Sequence, residues 1–102
     1  MKVELSKKIS QAVATGKVII GTRRSLKALK NGQAKLVIVA SNCAPEALED
    51  AKYYSRLGGV ELRVYEGDNT SLGLACGKPF SVDMLVVVDP GNSNILSAEG
   101  RR

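Results

Sequence analysis

The chain has 102 residues, the size of one ordinary domain, and 44% apolar content with only 4% aromatics requires an aliphatic core of Leu, Val, Ile and Ala. No apolar run reaches the ~18 residues of a membrane helix, and Met1 to Lys8 lacks the apolar stretch of a signal peptide, so a soluble, cytoplasmic protein is expected. The net charge of +5 is one-sided: residues 1–35 carry nine Lys or Arg against Glu4 alone (+8), and residues 36–102 carry six against nine acids (−3), a field that suits a polyanion or is simply a solvated basic surface.

Leu5, Ile9, Ala12 and Val13 recur at i, i+4, i+7 and i+8, which predicts an amphipathic helix over residues 3–14 that stops at Gly16. Lys17-Val18-Ile19-Ile20 is a short strand ending at Gly21. Ser25 to Lys30 reads as a helix with Leu26 and Leu29 facing inward, ended by Asn31-Gly32. Leu36-Val37-Ile38-Val39-Ala40 is short, β-branched and apolar throughout, as a strand covered on both faces is. After the loop Ser41-Asn42-Cys43-Ala44, Pro45 fits a first helical position, with Glu46, Glu49 and Asp50 complementing the positive helix end as far as Leu57.

Val60, Leu62 and Val64 alternate with Glu61, Arg63 and Tyr65, a half-buried strand with its apolar members inward. Asn69 or Thr70 caps a short helix through Leu72, Leu74 and Ala75, ended by Gly77. Lys78 to Asp83 is a loop, Met84 to Val88 a buried strand, and Ile95-Leu96 a short final strand. Helix and strand alternate strictly, which argues for an α/β domain with one sheet between two helical layers, one domain spanning residues 1–102.

Chemistry concentrates at Gly21-Thr22-Arg23-Arg24-Ser25. A strand ends there and a helix opens, offering free backbone N–H groups to an anion. Arg23 and Arg24 oppose the helix macrodipole by about 0.3–1 kcal/mol each at an exposed site, which is unfavourable unless an anion arrives. The turn matches neither the phosphate-binding GxxxxGK[ST] loop nor the dinucleotide fingerprint GxGxxG. With no histidine, and with Cys43 and Cys76 far apart, neither an enzyme nor a metal site is expected, and no cofactor is called for. Two further loops should share the sheet edge. Asn42 either reads a base edge or simply starts a helix, and Phe80 either stacks on an unpaired base or plugs the core, the commoner role of an isolated Phe.

The segment Gly21-Thr22-Arg23-Arg24-Ser25-Leu26-Lys27-Ala28-Leu29-Lys30-Asn31-Gly32, followed by Ala34 to Asn42, resembles the ribosomal large-subunit L-thirty-e family of the L-seven-Ae kink-turn-binding superfamily. The resemblance continues through Tyr53-Tyr54, Leu72-Gly73, Gly77-Lys78-Pro79-Phe80 and Val88-Asp89-Pro90-Gly91. It implies a three-layer α-β-α sandwich with a central mixed four-stranded sheet and helices on both faces. It also implies binding to a kink-turn, an RNA helix–loop–helix bent sharply at the loop. By resemblance, Gly21, Thr22, Arg23 and Arg24 approach the RNA at the helix start, with Lys27 on the same helix. Asn42 lies near an extruded or sheared G·A base, Phe80, Ser81 and Val82 form the loop packed on unpaired bases, and Leu72-Gly73 lines the same edge. The L-seven-Ae branch usually carries Asn-Glu after Gly-Thr; Arg23-Arg24 stands there instead, which favours a ribosomal role over a guide-RNA particle. The implied partners are ribosomal RNA and other ribosomal components, for a protein that is monomeric when free. The compact chain without basic extensions looks archaeal. The alternatives are a kink-turn protein of a guide-RNA or regulatory particle, a small nucleotide-binding enzyme, and a protein-interaction adaptor.

Overall fold

The computed structural model describes the backbone of residues 2–91 and the side chains of residues 5–91; the expected strand at Ile95-Leu96 lies outside the described residues. The elements run α1 (Lys2–Thr15), β1 (Lys17–Ile20), α2 (Thr22–Lys30), β2 (Leu36–Ala40), α3 (Pro45–Gly58), β3 (Glu61–Tyr65), α4 (Asn69–Ala75) and β4 (Met84–Asp89). The strands form one mixed sheet in the order β1-β4-β2-β3. The two strands with unbroken apolar runs, β4 and β2, are its centre, because a central strand covered on both faces has no side for a polar residue. They pair antiparallel, with Leu36 opposite Val87 and Ile38 opposite Leu85, while β2 and β3 pair parallel.

The period of two sorts the central side chains into two cores. Leu36, Ile38, Ala40, Leu85 and Val87 point to one face and pack with Ile9 of α1, Leu72 of α4 and Cys76 just after it. Val37, Val39, Met84 and Val86 point to the other and pack with Ala28 and Leu29 of α2 and Ala51 of α3. The result is the expected three-layer sandwich, α1 and α4 on one face and α2 and α3 on the other.

Three details differ from the sequence-based expectation. The second helix opens at Thr22 rather than Ser25, so both arginines lie in its first turn. In β3 burial does not alternate: Glu61 is exposed, Leu62 and Arg63 are half-buried, Val64 is 52% exposed and Tyr65 only 3%. Because β3 is an edge strand, the helices beside it cover Leu62 but leave Val64 open. Tyr65 instead lies under α1, where its hydroxyl hydrogen-bonds Ser6. The cap of α4 is Asp68, whose carboxylate accepts the Ser71 N–H at 2.9 Å, not Asn69 or Thr70. That bond holds the Asp68 carboxyl below the usual carboxylate range.

The topology decides where a site can form. β1, β2 and β3 point one way and β4 the other. The loops after β1, β2 and β3 and the loop before β4 therefore meet at one edge of the sheet, the usual position for a ligand in an open α/β sheet.

Candidate RNA interface

At this edge the chain leaves β1 through Gly21, whose φ of 113° and ψ of 145° lie in a region that side chains avoid. Gly21 N–H donates to Met84 C=O at 3.0 Å, which seats the turn against β4. Its C=O accepts the Ser25 N–H at 2.9 Å, the first bond of α2. The N–H groups of Thr22, Arg23 and Arg24 precede that bond, and no side chain caps them. No acid lies in the first turn either, in contrast to Glu46 in α3. This helix start is thus left open to an anion, with two exposed guanidinium side chains beside it.

A groove of about 500 Å³ runs from this turn to the loop before β4. Gly21, Thr22 and Arg24 line one wall, and Lys78, Phe80, Ser81, Val82 and Asp83 line the other. Phe80 is 57% exposed, so it is not a core plug. Its loop lies directly on α4 at Gly73: a Cβ there would come 2.1 Å from the Phe80 carbonyl oxygen, so only glycine permits the approach. A shallower depression beyond Arg24 includes Lys27.

Asn42 stands on the neighbouring loop. Its Oδ1 accepts the Asn69 N–H at 2.9 Å, which turns the side-chain NH2 group outward as a donor. The residues named from the sequence therefore fall into two sets. Gly21, Thr22, Arg24, Phe80 and Ser81 face the groove, and Arg23, Lys27 and Asn42 are exposed around it. Leu72 and Val82, at 0% and 2% exposure, turn their side chains into the core, and Gly73 is a buried close-packing point. These three hold up the edge from beneath rather than offering side chains to a ligand. Sequence reading missed Asn69 and Asp83, whose roles depend on long-range pairs that carry no local pattern.

Both cysteines near the site are held towards the neutral thiol. Burial raises the Cys76 thiol to about 11, against a smaller opposing pull from Lys78. Burial, and then the Asp83 carboxylate, raise that of Cys43. Among the described residues no group of three or more His, Cys, Asp or Glu side chains is placed to hold a metal ion, and no helix is long and apolar enough to cross a membrane.

An α/β sandwich whose one sheet edge joins an uncapped, arginine-flanked helix start to an exposed aromatic has the form that suits a polyanion-recognition domain of the nucleic-acid-binding type. Residues 3–97 match the model of the Ribosomal protein L7Ae/L30e/S12e/Gadd45 family, and the chain belongs to that family, in its L30e branch. It is 42% identical over 98 residues to the large ribosomal subunit protein eL30 of Methanothermobacter thermautotrophicus, covering 96% of this chain and all of that one. It is 44% identical to the eL30 of Methanobrevibacter smithii over 92% of this chain and 95% of that one. With the eL30 of Methanocaldococcus jannaschii it shares 43% identity over 92% of this chain and 86% of that one.

Proposed function

We propose that this protein is a structural component of the large ribosomal subunit, in the cytoplasm, and that it binds and stabilises a kink-turn in ribosomal RNA. The observation that carries the reading is the single sheet edge on which an uncapped helix start and Arg24 stand across a groove from Phe80, with Arg23 exposed beside them. A sharply kinked RNA offers the complement: phosphates crowded at the bend and bases splayed out of the stack. RNA is commonly read through such unpaired bases, because the major groove of its helix is deep and narrow.

The work divides among the residues. The open N–H groups of Thr22, Arg23 and Arg24 and their guanidinium side chains receive phosphate or a guanine edge. Asn42 presents two N–H donors to a base acceptor, and Phe80 offers a face for an unpaired base to stack on. Leu72, Gly73 and Val82 carry the loop on which Phe80 rides. No bond is made or broken. The protein favours the bent state only by binding it more tightly than the extended one. The eL30 names of the relatives, and Arg23-Arg24 in place of Asn-Glu, support a ribosomal address over a guide-RNA particle.

The test is nuclease protection of large-subunit RNA by the purified chain. The expected product is one fragment in which two short helices flank an asymmetric internal loop. Protection of uninterrupted duplex, or no discrete fragment, refutes the proposal.

A further inference from the structure

One residue at this edge, Asn69 at the start of α4, is bonded to two neighbouring loops. The Asn69 N–H donates to Asn42 Oδ1 at 2.9 Å, across 27 residues of sequence. Its side-chain Nδ2 donates to Asp83 Oδ1 at 2.7 Å, across 14 residues. Its C=O accepts the Val82 N–H at 2.9 Å. Asn42 follows β2, and Val82-Asp83 lead into β4, so Asn69 ties the loop that leaves one central strand to the loop that enters its neighbour. A second bond spans the same gap beneath it, from Ala40 N–H to Asp83 C=O at 2.9 Å.

We propose that Asn69 is the positioning residue of the RNA interface, holding the Asn42 loop and the Phe80–Asp83 loop at a fixed separation; this rests on the RNA-binding reading above. Its two donors have different consequences. The bond to Asn42 engages one lone pair of that side chain's Oδ1 and fixes the orientation of its amide, so that the NH2 group is the end presented to a base acceptor. The bond to Asp83 restrains the one carboxylate that lines the groove, whose other charged side chains are Arg24 and Lys78. A carboxylate free to swing towards arriving phosphates opposes them, and one held by an amide is kept to a single direction. An aspartate at position 69 reproduces the shape but places carboxylate against carboxylate. An alanine keeps both backbone bonds and loses only the tie to Asp83.

These differences set the test, made on the full chain with a kink-turn RNA and a straight duplex of matched length. Asn69→Ala and the exchange Asn69→Asp/Asp83→Asn have the same net charge as the parent protein. Only Asn69→Ala lacks a donor–acceptor pair at this place, because in the exchange the amide of the new asparagine donates to the new carboxylate. Asn69→Ala is expected to bind the kink-turn about tenfold or more weakly, the size of a missing charge-assisted hydrogen bond. The exchange is expected to restore affinity to within about threefold, which a merely local helix defect would not show. Asp83→Ala breaks the bond from its other end, and weaker binding is expected despite the added positive charge; it serves if circular dichroism shows Asn69→Ala unfolded. Parental affinity in the alanine variants, or an exchange as weak as Asn69→Ala, overturns the proposal. Equal affinity of the parent protein for kink-turn and duplex instead overturns the RNA-binding reading itself.

Discussion

Phe80 and Val82 are two residues apart on one loop, yet one is exposed and the other buried, and replacing each by alanine tests the opposite roles proposed for them. Phe80 is 57% exposed, so only about two-fifths of its surface serves the fold. Full burial of such a side chain is worth about 1.5–3 kcal/mol, which gives Phe80→Ala a stability cost of roughly 0.6–1.3 kcal/mol. Stacking of an unpaired base on its ring is worth about 1–3 kcal/mol, a loss of roughly 5- to 150-fold in Kd. Val82 is 2% exposed and lies in the core with Leu72 and Leu85. Its truncation costs about 2 kcal/mol from reduced burial and the cavity left behind, or roughly 8 °C or more in Tm for a domain of this size. The assay is fluorescence anisotropy with labelled kink-turn RNA at fixed salt, beside thermal melts of the same samples. Phe80→Ala should change Kd more than Tm, and Val82→Ala should change Tm more than Kd. A Phe80→Ala protein that binds within twofold of the parent, or melts like a core variant, refutes the assignment of Phe80 to the interface.

Other perturbations probe the helix start and the core. Arg23→Ala and Arg24→Ala should each reduce the slope of log K against log salt by about 0.7–0.9 for every phosphate the arginine neutralises. Each should also stabilise the free protein by about 0.3–1 kcal/mol, since a cation leaves the positive end of α2; unchanged salt slopes would show that neither arginine neutralises a phosphate. Ser25 is fully buried and its Oγ has no hydrogen-bond partner, so Ser25→Ala should raise stability by about 1 kcal/mol in a denaturant titration, and a fall would show that the hydroxyl is satisfied. The Cys76 thiol rises from an ordinary 9.0 to about 11 on folding, so the unfolded chain loses its proton first as pH increases. Stability should therefore fall between about pH 9 and 11, the difference from Cys76→Ala growing across that window; parallel pH profiles for the two proteins would contradict it.

Much of this architecture is legible in the sequence because it is written in periodicity. The uninterrupted runs of β2 and β4 announce strands covered on both faces, whereas the antiparallel direction of β4, which brings the loop before it to the shared edge, has no mark in the pattern. Features without a local mark are harder to see. Gly21 caps α2 with no side chain, so sequence patterning displaces the helix start to Ser25, a residue that proves to be buried and caps nothing. Three consecutive residues, Asp68, Asn69 and Thr70, can each cap a helix, and only the geometry picks Asp68. Tyr65 carries a hydroxyl and reads as an outward residue until Ser6 of α1 is brought beneath the sheet edge. An isolated Phe is most often a core residue, yet Phe80 is exposed, on a loop whose backbone packs against Gly73 of α4. The pairs of Asn69 with Asn42 and Asp83 have no sequence period at all; they exist only because the topology brings three loops together.

The central claim is that this sheet edge recognises the bend and not merely the charge of RNA. A titration of the purified chain with a kink-turn RNA and with a fully paired duplex of equal length and charge, at the same salt concentration, tests it most directly. The account predicts tighter binding to the kinked RNA by a factor of about ten or more, with the preference persisting as salt weakens both complexes. Equal affinity for the two RNAs at every salt concentration would contradict it.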